Sequence, residues 1–321
     1  MLCGYLGGAL RGLCGCFWNV FKGAAMQNIL FEGSIKGLYI SRIVRDFEYT
    51  MSDVHIHYND YEVYYLLEGE RRYFIGTKIY HLKQGSLVFI RRNVIHKTAL
   101  SREAHHDRIL LEISHSYLES VFAATDELSL PEYFRDDCIV LSLDSSEQEF
   151  VKGLLLETGR ELKAKDCGFR LLVQSLVAEL FVFAKRWENK ANSAASSRTD
   201  DPRHRQIEQI ACYIADNCCS PLSLSSIAEH FYMNKCYLSR IFKEVTGFTV
   251  TGYLHARRIQ KARTLLVQGS MNISEISEAA GYENLTYFER VFRKHTGMSP
   301  LEYRKVHIKN ARGRRISGDI F

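Results

Sequence analysis

The sequence predicts an α+β chain in two parts: an N-terminal β-barrel followed by helices, then an all-α part made of a tandem pair of helix-turn-helix units. Three observations predict it. A stretch near the C-terminus occurs twice in register, short alternating apolar segments with glycine punctuation fill the region from Leu38 to Ile113, and the positive charge gathers in the last third. With 321 residues the chain is long enough for about two domains, each burying its own core. Residues 203–315 carry 18 Lys plus Arg against 9 Asp plus Glu, a balance of +9, whereas the rest of the chain carries 24 against 28, or −4. A basic C-terminal third behind a mildly acidic front is the footprint of a nucleic-acid-binding module attached to something else.

Residues 1–28 read as a tail, whose first 25 residues are interrupted by six glycines. They fit neither a secretory signal nor a packed element. Lys22-Gly23-Ala24 ahead of Met26 reads as a ribosome-binding sequence translated in frame, so the expectation is that translation starts at Met26 and the preceding residues are a start-site artefact. Nine cysteines are scattered without a C-x-x-C pair, and Cys218 adjoins Cys219. That usage points to a reducing, cytoplasmic setting rather than a disulfide framework. No apolar run approaches the roughly 20 residues that span a bilayer, so no membrane partner is expected.

Residues 29–115 hold the segments VYYLLEG, RRYFIG, KIYHL, GSLVFI and RILLEI, whose length and spacing predict a small barrel or sandwich. Within them, His55-x-His57 is followed after four intervening residues by Glu62 and after six more by Gly69. A second segment runs from Gly85 through Arg91-Arg92-Asn93 to His96. This spacing resembles the two cupin motifs, and the resemblance implies a cupin-like effector domain. His55, His57, Glu62 and His96 occupy the four positions that hold a divalent ion in metal-binding cupins, and such a donor set suits iron, manganese, nickel or zinc. A histidine pair in a barrel is also satisfied by hydrogen bonds to its neighbours, as pocket lining without a metal, and no cofactor is expected here. On that reading His55, His57, Glu62, Tyr64, Tyr73 and His96 line an effector pocket for a small polar, sugar-like molecule. Alternation alone does not decide which tyrosines point inward. Arg91, where cupins usually have proline, places a cation near the mouth.

Residues 116–188 are expected to form a helical dimerisation segment. From Phe169 to Trp187, Leu172, Leu176, Leu180, Phe183 and Trp187 lie on one side with Val173, Val177 and Ala184 beside them. A stripe that wide is expected to bury more than one face, one of them against the barrel. Dimerisation through the other is what the family resemblance of the C-terminal repeat implies, and the alternative is that the helix only closes the barrel domain. Residues 189–204 are small, polar and aperiodic, as in a flexible linker. A chain tethered only by such a linker would transmit little strain between its halves.

Residues 205–306 form the predicted tandem helix-turn-helix domain. Ile207, Ile210, Ala211 and Ile214 make the buried stripe of a supporting helix. In the repeat, Leu238 aligns with Phe288, Arg240 with Arg290, Phe242 with Phe292, Gly247 with Gly297 and Tyr253 with Tyr303, each pair 50 positions apart. Upstream, Leu224 and Ile273 are 49 apart, so the second copy has one extra residue before Asn284. A repeat of this length is one supersecondary unit used twice. In each copy a short helix, Ser225 to Phe231 or Ser274 to Ala280, leads to Asn234 or Asn284, which cap a second helix. That helix ends at Gly247 or Gly297, suited to a left-handed C-cap. On its outer face, Cys236, Ser239 and Arg240 in the first copy, and Leu285, Thr286, Glu289 and Arg290 in the second, are expected to face bases. Lys235, Lys243, Arg293 and Lys294 are expected to meet phosphates. Two solvated helical hairpins are the plain alternative, which the in-register arginines argue against. Between the copies, Tyr253 to Gln268 should form a connecting helix with Leu254, Ile259, Ala262, Leu265 and Leu266 inward and Arg257, Arg258, Lys261 and Arg263 mostly outward. Residues 307–321 are a basic tail.

The second copy reads A-G-Y-x-N-x-x-Y-F-x-R-x-F-R-K-x-T-G-x-S-P-x-E-Y-R from Ala280 to Arg304. This resembles the signature of AraC/XylS-type bacterial transcription regulators, with Glu278 a departure on the surface. The resemblance implies a sequence-specific regulator, expected to be an activator. Its expected partners are double-stranded DNA, a small-molecule effector, a second copy of the chain and RNA polymerase. The competing class is a metal-dependent cupin enzyme fused to a DNA-binding module. No G-x-S-x-G, phosphate-binding glycine loop or metalloprotease motif is present.

Overall fold

The structure, a computed structural model, describes residues 27–47, 57–101, 103–123, 128–191 and 201–307. The expected start at Met26, His55, the centre of the linker and most of the basic tail lie outside the described residues. Eight strands come first: β1 (Asn28–Ile35), β2 (Leu38–Arg45), β3 (Asp60–Ile75), β4 (Lys78–Lys83), β5 (Ser86–Ile90), β6 (His96–Leu100), β7 (His106–Ser114) and, after helices α1 (His115–Phe122) and α2 (Leu130–Tyr133), β8 (Cys138–Ser142). Helices α3 (Ser145–Ala164) and α4 (Phe169–Ala191) complete the first part.

The 16-residue β3 organises the barrel. Its first half pairs with β7 and β5, giving the order β1-β2-β7-β3-β5-β8, and its second half pairs with β4 and β6. VYYLLEG and RRYFIG are therefore one bent strand, not two. Gly69 sits near the changeover at φ +89°, where a Cβ would run into the carbonyl oxygen of His105, a place that glycine alone occupies without strain. Successive residues of β3 then serve three partners. Tyr61, Val63, Tyr65 and Leu67 pack against α1, α3 and α4. Tyr64, Leu66, Tyr73 and Ile75 join Leu82, Val88 and Ile90 between the sheets. Phe74 faces the second part of the chain with Ile79 and Ile95.

The segment 116–188 is not helical throughout, because β8 lies within it and extends the sheet beside β5. In α4 the buried stripe is Val173, Val177, Leu180, Phe181 and Ala184. Leu172, expected on the covered side, is 52% exposed and its neighbour Leu171 70%. α4 packs mainly on α3, so one face suffices to close the barrel domain.

The second part comprises α5 (Pro202–Asn217), α6 (Leu224–His230), α7 (Lys235–Thr246), α8 (Val250–Gln268), α9 (Ile273–Ala279) and α10 (Leu285–Thr296). Ile207, Ile210, Ala211 and Ile214 are buried on α5. Each short helix of the repeat opens with a capping box, Ser223 with Ser226 and Asn272 with Glu275. Arg258 and Arg263, expected outward on α8, are buried. Arg258 Nε donates to the carbonyl of Cys218 at 2.7 Å and Nη2 to that of Ser220 at 2.9 Å, while its guanidinium lies over Tyr282, so the side chain ties the two helix-turn-helix units together.

The halves are not merely tethered. Phe74 packs edge-on against Phe248 and Tyr253, the Tyr253 hydroxyl donates to the Gly76 carbonyl at 2.8 Å, and Arg72 Nη2 donates to the Glu244 carbonyl at 2.8 Å. The Ile79 amide donates to Glu208 of α5 at 2.7 Å.

Candidate functional site

Two regions carry candidate chemistry: the outer faces of α7 and α10, and the polar centre of the barrel. α7 starts because Asn234 accepts from the amides of Cys236 and Tyr237, and α10 because Asn284 accepts from that of Tyr287. Gly247 and Gly297 end them, both at φ +77°. Leu238, Ile241, Phe242 and Val245 bury one helix, and Phe288, Val291 and Phe292 the other. Lys235, Cys236, Arg240 and Lys243 are exposed on α7, as are Leu285, Thr286, Glu289, Arg290, Arg293 and Lys294 on α10, and Ser239 is partly covered. The barrel therefore leaves these faces open to solvent.

A matched pair of tyrosines was not singled out from sequence. The Arg240 guanidinium lies 5.7 Å from the Tyr237 ring centre and that of Arg290 lies 5.1 Å from the Tyr287 ring centre. Both rings are part-exposed, at 41% and 39%. The repeat alignment contained the signal, since Tyr237 falls on Tyr287 at the same 50-residue offset. Stacking on a ring limits the rotamers of each arginine and so lowers the entropy lost when it docks.

In the barrel, Glu62 sits at the centre. The Tyr73 hydroxyl donates to Oε1 at 2.5 Å, and His57 Nε2 and His96 Nε2 lie 3.1 and 3.3 Å from Oε2. Tyr64 meets Tyr73 edge-on at 5.3 Å. Thus His57, Glu62, Tyr64, Tyr73 and His96 are brought together, all buried. Burial pushes the Glu62 carboxyl up, but facing His96 and His57 brings it well below the usual carboxylate range. Burial and the Glu62 charge hold the Tyr73 phenol well above its ordinary value, so it stays a donor. Glu112, not singled out from sequence, adds a second carboxylate 3.7 Å from His57 Nε2.

These residues also fit a metal. Ligand atoms of His57, Glu62 and His96 all lie within 4.8 Å of one another. His96 Nδ1 is 2.9 Å from the Val94 carbonyl, the backbone contact that fixes a ligating imidazole with Nε2 forward. Two imidazoles and a carboxylate suit a first-row divalent ion.

A pair of helix-turn-helix units with open, basic second helices behind a barrel with a polar centre defines a transcription regulator carrying its own ligand-binding domain. Residues 227–306 match the model of a helix-turn-helix domain and residues 38–181 that of an AraC-like ligand binding domain. The chain belongs to the AraC/XylS family of transcription regulators. It is similar to the uncharacterized HTH-type transcriptional regulator YfiF of Bacillus subtilis (strain 168), at 25% identity over 261 residues, 77% of each chain. With the xylose operon regulatory protein of Escherichia coli (strain K12) it shares 35% identity over 101 residues, 32% of this chain but only 26% of that one. A solved structure of ToxT from Vibrio cholerae O395 aligns with 84% of this chain and 98% of that one, at 18% identity and a TM-score of 0.35. No helix among the described residues is long and apolar enough to cross a membrane.

Proposed function

We propose that the chain is a sequence-specific DNA-binding activator whose barrel senses a small polar molecule, with a sugar-like compound as first candidate. The observation that carries the DNA reading is the repeated, exposed face of α7 and α10 with an arginine stacked on a tyrosine in each. α8 has 19 residues, so it is about 28 Å long. With a recognition helix beyond each end, this length suits successive major-groove segments about 34 Å apart. Cys236, Ser239 and Arg240 on α7, and Leu285, Thr286, Glu289 and Arg290 on α10, are the base-facing set. Lys235, Lys243, Arg293 and Lys294 are the phosphate set. α10 has few donors at its tip, so α7 carries more of the specificity.

Replacing Arg240 by Ala is expected to cost about 1–3 kcal/mol on a site selected from random DNA, and far less on unselected DNA, in binding titrations at fixed salt. An equal loss on both would make Arg240 a phosphate contact.

Tyr73 and Phe74 give the effector a route to the DNA-binding half. Tyr73 faces Glu62, while its neighbour Phe74 faces Phe248 and Tyr253 on either side of the start of α8. An effector that displaces the Tyr73 hydroxyl from Glu62 shifts β3, and with it the seat of the helix-turn-helix pair.

A second reading, that the barrel holds a divalent ion with a regulatory role, is favoured by the His57, Glu62 and His96 cluster. Metal analysis of protein purified without chelator separates the two. The effector reading expects substoichiometric metal that His57→Ala leaves unchanged, whereas one ion per chain lost in that variant supports the second.

A further inference from the structure

Between the barrel and α8 lies a cleft of about 670 Å³, within the range of small-molecule pockets. Its lining includes Arg91, Arg92, Arg135 and Arg263 and no aspartate or glutamate. Arg263 is only 7% exposed. Its Nη1 donates to Asn93 Oδ1 at 3.0 Å, its Nη2 donates to the Tyr303 hydroxyl at 2.5 Å, and its guanidinium lies 3.2 Å from the Tyr58 ring centre. Nε is buried with no hydrogen-bond partner. No carboxylate among the described residues comes within the 4.0 Å of an ion pair. Burial pulls the Arg263 pKa down, which Tyr303 and Tyr58 offset in part. A guanidinium does not shed its proton in a protein, so a buried one without a counter-charge is costly to maintain.

The other arginines face the same space. Arg92 is half-buried beside the Tyr61 hydroxyl. Arg135 is exposed, and no carboxylate among the described residues comes within 4.0 Å of its guanidinium. Arg91 is shared with Asp137 at 2.7 Å. Leu130, Phe134 and Val267 add an apolar wall.

We propose that this cleft binds a small organic anion, its carboxylate or phosphoryl group seated against Arg263 and within reach of Arg92 and Arg135, and its apolar body against Leu130, Phe134 and Val267. Guanidinium forks match the oxygens of both groups in paired hydrogen bonds. The site is separate from the chamber around Glu62 and stands whatever fills that chamber. Arg263 belongs to the helix joining the two helix-turn-helix units and Arg92 and Arg135 to the barrel domain, so a bound anion joins the two halves.

The test is calorimetric titration of the full chain at constant ionic strength with benzoate and phenyl phosphate, each paired with its neutral counterpart, benzyl alcohol and phenol. At least one anion is expected to bind saturably with a Kd below about 1 mM, and its neutral partner is not. Arg263→Gln and Arg135→Gln should each weaken that anion about tenfold, the loss expected for one charge-assisted contact. Arg160→Gln, an exposed arginine of α3 outside the cleft, should not. Arg135 lies at the surface, so its variant reports even if Arg263→Gln folds poorly. Absence of saturable anion binding, equal binding of the neutral partners, or equal loss in all three variants would overturn the proposal.

Discussion

His106, at the start of β7, is 2% exposed and its ring lies against Arg71 Nη2. Burial and the charge of Arg71, with Arg45 and Arg108 adding to it, lower its pKa from 6.5 to about 3. The unfolded chain therefore takes up this proton first as pH falls. The stability due to the neutral ring is complete above 6.5 and is lost progressively towards about 3. The urea midpoint is expected to drop between pH 6.5 and about 5, and His106→Gln should flatten that slope. An unchanged slope would assign the acid sensitivity elsewhere. Nothing in the local sequence marked His106, because its environment is made by residues of β2, β3 and β7 that meet only in the barrel. Glu62, His57 and His96 were legible because motif spacing names them, whereas Glu112 was not. The alternation of β7 puts Glu112 inward, but its neighbours come from other strands.

At the level of elements, the two recognition helices invite comparison, since both end on a glycine at φ +77°. An alanine there carries the left-handed backbone penalty of about 1 kcal/mol. At Gly297 the added Cβ meets nothing within 4 Å, whereas at Gly247 it lies 3.0 Å from Lys97 Cδ, part of a buried side chain reaching over Phe248. Gly247→Ala should therefore destabilise more than Gly297→Ala in urea denaturation followed by circular dichroism. Equal losses would mean that Lys97 moves aside freely. The helices themselves were legible, because caps and 3.6-residue periodicity act within a dozen residues. β3 was misread as two strands because glycine signals both a turn and a bend, and only the partners on either side distinguish them. β8 was missed inside a helical stretch because five residues carry too little periodicity.

For the molecule as a whole, the exposed side of α4 and α3 is unfinished. Leu171 and Leu172 are 70% and 52% exposed, and Phe150, packed on Phe183, is 41% exposed. We propose that a second copy of the chain covers this face. Changing Leu171 and Leu172 to Glu is expected to convert a dimer to a monomer in sedimentation velocity without altering the circular dichroism spectrum. A wild-type monomer at micromolar concentration would remove the proposal. The contact between the halves was not legible either. A polar linker implied independence, yet Arg72, Phe74 and Ile79 bind the barrel to α5, α7 and α8.

What the sequence by itself determined is whatever depends on short range: the repeat, its caps, the buried stripes of α5, α7 and α10, the charge asymmetry and, through its motifs, the family. Tertiary structure alone decided where charge is stored. Arg258 and Arg263 lie at positions of α8 that read as solvent-facing, and both are buried, one by the turn around Cys218 and the other by the barrel. Periodicity reports which side of a helix is apolar. It cannot report that the turn around Cys218 will cover Arg258 or that the barrel will cover Arg263, because those residues lie 40 and 170 positions away in the chain.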